Sequence, residues 1–284
     1  MASRKWGGTL FWRGVLSIAV FLTLWEIGSL SKVWLKWEMF AWLKEMLTLT
    51  GWTKNYLPWI GAVPAPTEVQ VIGDVGYWHS WYMSCFRVLG GFFAAMAIGI
   101  PFGLLLAVNR TAFGIGFPVF EVLRPIPPLA WVPASIIFWP TQELSIAFVT
   151  FLGAFYTIVI NVIGGARSID TRYFQAAQSM GSSSWDIFRR IILPGTLPSI
   201  VVGSAVGMGI TWEVVVAAEM ISGGGSQIGG TSGGGLGFFI WNSYVGGSYE
   251  QIVVGMISIG IAGFLSSELL RALGHRVTPW LRLR

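Results

Sequence analysis

The chain alternates long apolar runs with short polar intervals, and the runs have the length of bilayer crossings. Residues 11–30, 83–108, 144–164, 195–221 and 252–273 are each predominantly apolar. About twenty such residues suffice for a helix to cross roughly 30 Å of hydrocarbon. A further run, residues 113–139, carries Pro118, Pro125, Pro127, Pro128 and Pro133. Proline inside a helix removes a backbone hydrogen bond and clashes with the preceding turn. Two half-helices with a bend near residues 124–128 are therefore predicted, and broken helices at membrane depth line cavities. Pro101 is predicted to interrupt the second run, where Gly90, Gly91, Gly99 and Gly103 allow close helix packing. Residues 31–80 are too polar to span, yet Trp34, Trp37, Trp42, Trp52, Trp59 and Trp78 crowd them. An amphipathic helix over residues 32–49, lying on the outer membrane surface, is predicted there.

One polar island interrupts the apolar pattern, at residues 168–194. Two short helical patterns flank Gly181, with Asp170 a candidate N-cap for the first and Ser182 or Ser184 for the second, and Pro194 opens the next apolar run. Gly181 suits a tight contact or a positive φ. Ala176 and Ala177 permit close approach, and Trp185 and Phe188 are aromatic anchors for a partner's pocket.

Composition fixes the class. Hydrophobic residues make up 54% and charged residues 11%, with a mean hydropathy of +0.66, which excludes an ordinary soluble domain. The net charge of +5 marks topology and not nucleic-acid binding. Arg4, Lys5, Arg13, Arg110, Arg167, Arg172, Arg189, Arg190, Arg271, Arg276, Arg282 and Arg284 fall on the side of the polar island and both termini, whereas Lys32, Lys36, Lys44 and Lys54 fall opposite. The positive-inside rule then makes the island and both termini cytoplasmic. The first run follows Arg4, Lys5 and Arg13 without a cleavage-site pattern and reads as a retained helix. No long linker or internal repeat divides residues 1–284, so one multi-pass domain is expected.

Candidate chemistry is sparse. Cys85 is the single cysteine, which excludes an internal disulfide, and no metal site is expected. Nine of the fifteen residues 223–237 are glycine, but no Gly-Lys-Ser/Thr follows and no strand precedes them, so a flexible external connection is expected in place of a phosphate loop. His79 and His275 lie on opposite faces of the predicted topology, and no catalytic residues are expected. Charges within helices cost about 2.5–3.5 kcal/mol at the bilayer centre, so Glu121, Arg124, Glu213 and Glu219 are expected to face the bundle interior or a wet cavity. With Trp212 they are candidates for a translocation pathway. Arg124 is either an anion contact or the ion-pair partner of Glu121, three residues earlier on the same helix face, or of another glutamate across the bundle.

Gln175-Ala176-Ala177, three residues, Gly181, nine residues, then Ile191-Ile192-Leu193-Pro194 resembles the cytoplasmic coupling motif of ABC importer permeases at every spacing, with Gln175 in place of the motif's Glu. Arg87 with Gly90, Arg124-Pro125-Ile126-Pro127, Ala217-Ala218-Glu219-Met220, Gly235-Leu236-Gly237 and Pro279-Trp280 resemble the nitrate, sulfonate, taurine and bicarbonate group of that family. The Trp-rich insert, residues 39–58, leans towards its cyanobacterial nitrate and bicarbonate branch. The resemblance implies an all-α membrane protein of the type I ABC importer permease fold, with about six transmembrane helices, an external amphipathic helix and a coupling loop.

It further implies a homodimer in the bacterial inner membrane, two cytosolic ATPase subunits that hold ATP and Mg, and an extracytoplasmic substrate-binding lipoprotein. The permease itself holds no cofactor and is not an enzyme. Gln175, Ala176, Ala177, Gly181, Trp185, Asp186 and Pro194 become the ATPase-coupling candidates. The cargo implied is a small anion, nitrate or nitrite first, with bicarbonate, sulfonate or taurine, and cyanate as alternatives. An ATP-independent anion transporter or channel is the competing class, and it calls for an inverted repeat that the sequence does not show.

Overall fold

The computed structural model describes residues 74–222 and 234–280, together with Leu16, Ala19, Val20 and Thr23. The expected first span falls largely outside the described residues, and the expected amphipathic helix over 32–49 falls wholly outside them. Every regular element among the described residues is helical: α1 Asp74–Val108, α2 Arg110–Leu123, a 3₁₀ turn Pro128–Trp131, α3 Val132–Phe138, α4 Gln142–Arg167, α5 Thr171–Ser179, α6 Ser184–Ile187, a π turn Phe188–Ile192, α7 Leu193–Ser222, α8 Leu236–Val245 and α9 Tyr249–Val277. Four continuous helical stretches, the main part of α1, α4, α6 through α7, and α9, are long and apolar enough to cross a membrane.

The chain divides into two compact units. One comprises residues 1–74 and 243–254; its described part includes the tight turn between α8 and α9, where Ser248 N–H donates to the Ser243 carbonyl at 2.9 Å and Gly247 takes a φ of +72°. The other, residues 75–242 and 255–284, holds everything discussed below.

In that unit α4 is the central helix. Gly91 and Gly103 of α1 let α1 lie against it, since a Cβ at Gly103 would come within 2.9 Å of Val162. Gly203 and Gly207 of α7 close on its other side, against Asn161 and Ala154. Leu106, Phe120, Leu152, Tyr156, Val159 and Ile163 form a core between α1, α2 and α4. Asn109 starts α2 by accepting from the backbone N–H groups of Thr111 and Ala112 at 2.9 and 3.1 Å. Thr141 caps α4 in the same manner.

Three expectations are corrected. The second helix begins at Asp74 and its candidate span at Tyr77, not at residue 83, because His79 and Ser80 continue the helix; its first turns pack through Tyr77, 2% exposed, whose hydroxyl meets Ser258 Oγ at 2.6 Å. The expected external segment, residues 31–80, therefore ends inside α1. Pro101 does not interrupt α1, which runs through it for 35 residues. The end of the glycine cluster is not a loose connection: Gly234, Gly235 and Gly237 are buried, and Leu236 starts a helix. The proline-rich run does break, with α2 ending at Leu123 and the 3₁₀ turn starting at Pro128.

Candidate functional site: a helical knob and a buried charge node at opposite ends of one helix

The polar island folds as a small helical knob. Asp170 caps α5 by accepting from Arg172 N–H at 2.9 Å. At its other end Ser182 N–H donates to the Ala177 carbonyl at 3.0 Å and Gly181 N–H to the Gln178 carbonyl at 2.9 Å. This is the Schellman pattern, and it places Gly181 at φ +73°, a conformation that costs a residue with a Cβ about 1–2 kcal/mol. Ser183, the serine between the two expected, caps α6: its hydroxyl accepts from Asp186 N–H at 3.2 Å and donates to the Asp186 carboxylate at 2.6 Å. Three adjacent serines made this cap degenerate in sequence.

The knob presents Trp185, Met180 and Tyr173 outward at 67%, 78% and 61% exposure, with the Trp185 and Phe188 rings stacked at 5.5 Å. Gln175 and Ala176 are exposed, while Ala177 is buried and so is not free for the close approach of a partner. Asp186 is engaged by Ser183 and lies 3.8 Å from Arg190. The second short helix is not separate. Through the π turn it runs into α7, with Pro194 the second residue of that helix, and proline's missing N–H fits the register change. The stretch Ser184–Ser222 is 39 residues, a rod of about 58 Å at 1.5 Å per residue.

At the far end of the rod lies a buried charge node. Glu219 is fully buried, and its carboxylate accepts from Arg87 Nη1 at 2.9 Å, from Gly237 N–H at 2.9 Å and from the Ser84 hydroxyl at 2.8 and 2.9 Å. Ser84 in turn accepts from Leu236 N–H at 2.8 Å, so Glu219 and Ser84 together satisfy the first N–H groups of α8. Arg87 Nε and Nη2 donate to Glu143 at 2.8 and 2.5 Å. The Glu143 side chain is 41% exposed and stands in the first turn of α4, where the helix dipole favours its charge. One cation thus serves two carboxylates: the buried one compensated by four donor contacts, the outer one by solvent and a helix terminus. α1, α4, α7 and α8 meet at this point.

The other pathway candidates are dispersed. Arg124 caps α2 with helical φ and ψ and lies 3.2 Å from Glu121, both side chains half-exposed. Trp212 is buried, its Nε1 donating to Ser266 Oγ of α9 at 3.1 Å. Glu213 is exposed and lines a concavity of about 720 Å³ between α7 and α9, with Met220, Met256 and Phe264. Glu219 faces away from that concavity, into the node. The sequence reading missed Glu143 and Ser84, and carried Arg87 only in the family resemblance, not as a candidate site residue. Ser84 lies one turn before Arg87 on the same helix face, and the rule that membrane charges pair would have joined Arg87 to Glu219. An exposed pair of the Arg124–Glu121 kind is worth about 0.2–1 kcal/mol. Arg124→Gln is expected to leave the melting temperature almost unchanged, and a loss comparable to that of an Arg87 variant refutes this placement.

Residues 99–283 match the family described as the binding-protein-dependent transport system inner membrane component. The nitrate import permease protein NrtB of Leptolyngbya laminosa is 34% identical over 206 residues, covering 72% of this chain and 71% of that protein. The taurine transport system permease protein TauC of Escherichia coli is 31% identical over 283 residues, covering 95% and 94%. The fold is shared with a chain of the MetNI methionine ABC transporter, whose structure was solved in inward-facing conformations, with a TM-score of 0.52 at 20% identity over 72% of this chain and 94% of that one. The chain belongs to the binding-protein-dependent transport system inner membrane component family, the multi-pass permease subunits of ABC importers.

Proposed function

We propose that the chain is the transmembrane permease of an ATP-driven importer of a small oxyanion, nitrate or nitrite first, working as a homodimer by alternating access. An extracytoplasmic binding protein delivers the solute, and two cytosolic ATPases, which hold ATP and Mg, bind the knob. Both termini and the knob are cytoplasmic in a bacterial, cyanobacterial-type inner membrane, as the arginine distribution argues. The observation that carries this reading is the knob itself: a capped, aromatic-tipped helix pair continuous with a membrane-spanning rod. A hydrolysing partner can move a membrane protein only through a rigid part that it grips. Here Trp185 supplies the grip, Gly181 and Ser183 supply the rigidity, and α7 carries the displacement to Glu219. For the cargo, support comes from the NrtB likeness; TauC leaves a sulfonate, and the sequence pattern bicarbonate, as alternatives.

Trp185→Ala tests the knob. A hot-spot aromatic contributes about 2 kcal/mol or more to an interface, roughly thirtyfold in affinity. The variant is expected to reach the membrane with a normal melting temperature, to lose ATPase co-purification and to lose nitrate uptake in proteoliposomes. Full uptake, or wild-type uptake without any ATPase, overturns the proposal.

A further inference from the structure

The Arg87 fork is filled by the more exposed of its two carboxylates. Nε and Nη2 hold Glu143, whose side chain is 41% exposed, while Nη1 holds the fully buried Glu219. The geometry points to this fork as an oxyanion-binding subsite at the end of the bundle remote from the knob, with the Glu143 carboxylate a resident stand-in that an oxyanion replaces. The inference rests on the reading of the chain as an oxyanion importer.

Shape is the first argument. A guanidinium edge offers two parallel N–H donors to two oxygens on one centre, and nitrate, bicarbonate, a carboxylate or one face of a sulfonate presents the same pair that Glu143 does. Charge is the second. Exchanging one monoanion for another on Arg87 leaves the node's net charge unchanged, so the cost of a buried, uncompensated charge does not arise. Pre-organisation is the third. Arg87 stays tethered by Glu219, which is itself fixed by Ser84 and by Gly237 N–H. The back wall is tight, because a Cβ at Gly235 would fall on the Glu219 carboxylate. Release of Glu143 therefore leaves the fork in place. Once turned outward, Glu143 keeps solvent and the α4 N-terminus as compensation.

Chemical rescue tests this on the assembled importer in nanodiscs. The Glu143→Ala complex is melted in equal concentrations of chloride, nitrate, bicarbonate, formate and taurine. The expected result is a melting temperature lowered by several degrees in chloride and recovered, increasingly with concentration, in at least one oxyanion. In the wild-type complex the same oxyanion must displace Glu143 from the fork, so the rise is expected at higher concentrations, and a wild-type melting temperature that no oxyanion moves overturns the replacement. Adding Arg87→Lys, which keeps the charge but removes the fork, is expected to abolish the recovery. Recovery by taurine and not by nitrate assigns a sulfonate shape to the subsite; the reverse assigns a planar one. An anion-independent melting temperature for Glu143→Ala, or equal recovery with Arg87→Lys, overturns the inference. Should Glu143→Ala fail to assemble, Glu143→Asp draws the carboxylate back by one methylene and is read in the same way. Rescue without ATP-dependent uptake by the wild type counts against the importer reading alone, and uptake without rescue counts against the subsite alone.

Discussion

Arg87→Met is expected to cost about 3–5 kcal/mol of stability, because it strands a carboxylate that cannot reach water. Glu219 is fully buried, and the Arg87 side chain is only 2% exposed, so neither solvent nor another described cation replaces the lost Nη1 contact of 2.9 Å. Methionine fills much of the arginine stem's volume, so the loss reads charge and not a cavity. Thermal unfolding of the purified complex gives the single-variant cost, and Arg87→Met/Glu219→Gln completes a cycle. The double variant is expected to recover most of the loss, because a neutral amide keeps hydrogen bonds to Ser84 and Gly237 without a stranded charge. A double variant no more stable than Arg87→Met shows that the pair is not the source of the effect. Glu143→Ala should cost markedly less, since its side chain is 41% exposed.

The same node shows why some of this molecule was legible in sequence and some was not. The apolar runs declare α1, α4, α7 and α9, because length and hydropathy are local and a bilayer leaves a helix little alternative. The prolines of residues 113–139 declare the break after Leu123 for the same local reason. Gly181 declares the end of α5, since a Schellman turn needs a left-handed residue at that one position. The node is another matter: its bonds join residues 56, 132 and 135 apart, and no periodicity carries that information. Arg87 and Glu219 stand in apolar runs with no partner near them in sequence. Glu143, two residues after the Thr141 cap, reads locally as an ordinary acidic first turn. The glycine cluster misled because flexibility was the local reading of glycine, whereas Gly235 and Gly237 are small for the sake of Glu219 and the Val216 backbone.

Gly237→Ala is expected to be the most disruptive single-methyl addition near the node. A Cβ there would fall on the backbone carbonyl oxygen of Val216 and lie 2.9 Å from Glu219 Cβ. Backbone within α7 cannot swing aside as a flexible side chain does, so α8 must shift. Overpacking of this kind costs about 1–3 kcal/mol. The shift also draws Gly237 N–H from Glu219, and a hydrogen bond to a charged group contributes about 1.5–3 kcal/mol. Both costs fall on the same residue, and a melting temperature several degrees below wild type is the expected reading. Gly90→Ala is the matched control: a Cβ at that α1 position meets nothing within 4 Å, and replacing a mid-helix glycine should stabilise by about 0.8–1 kcal/mol. Equal melting temperatures for the two variants would refute the steric account of Gly237. If Gly90→Ala keeps its stability but loses uptake, the Gly90 face of α1 packs against another chain of the transporter, a surface that the stability of this chain alone does not report.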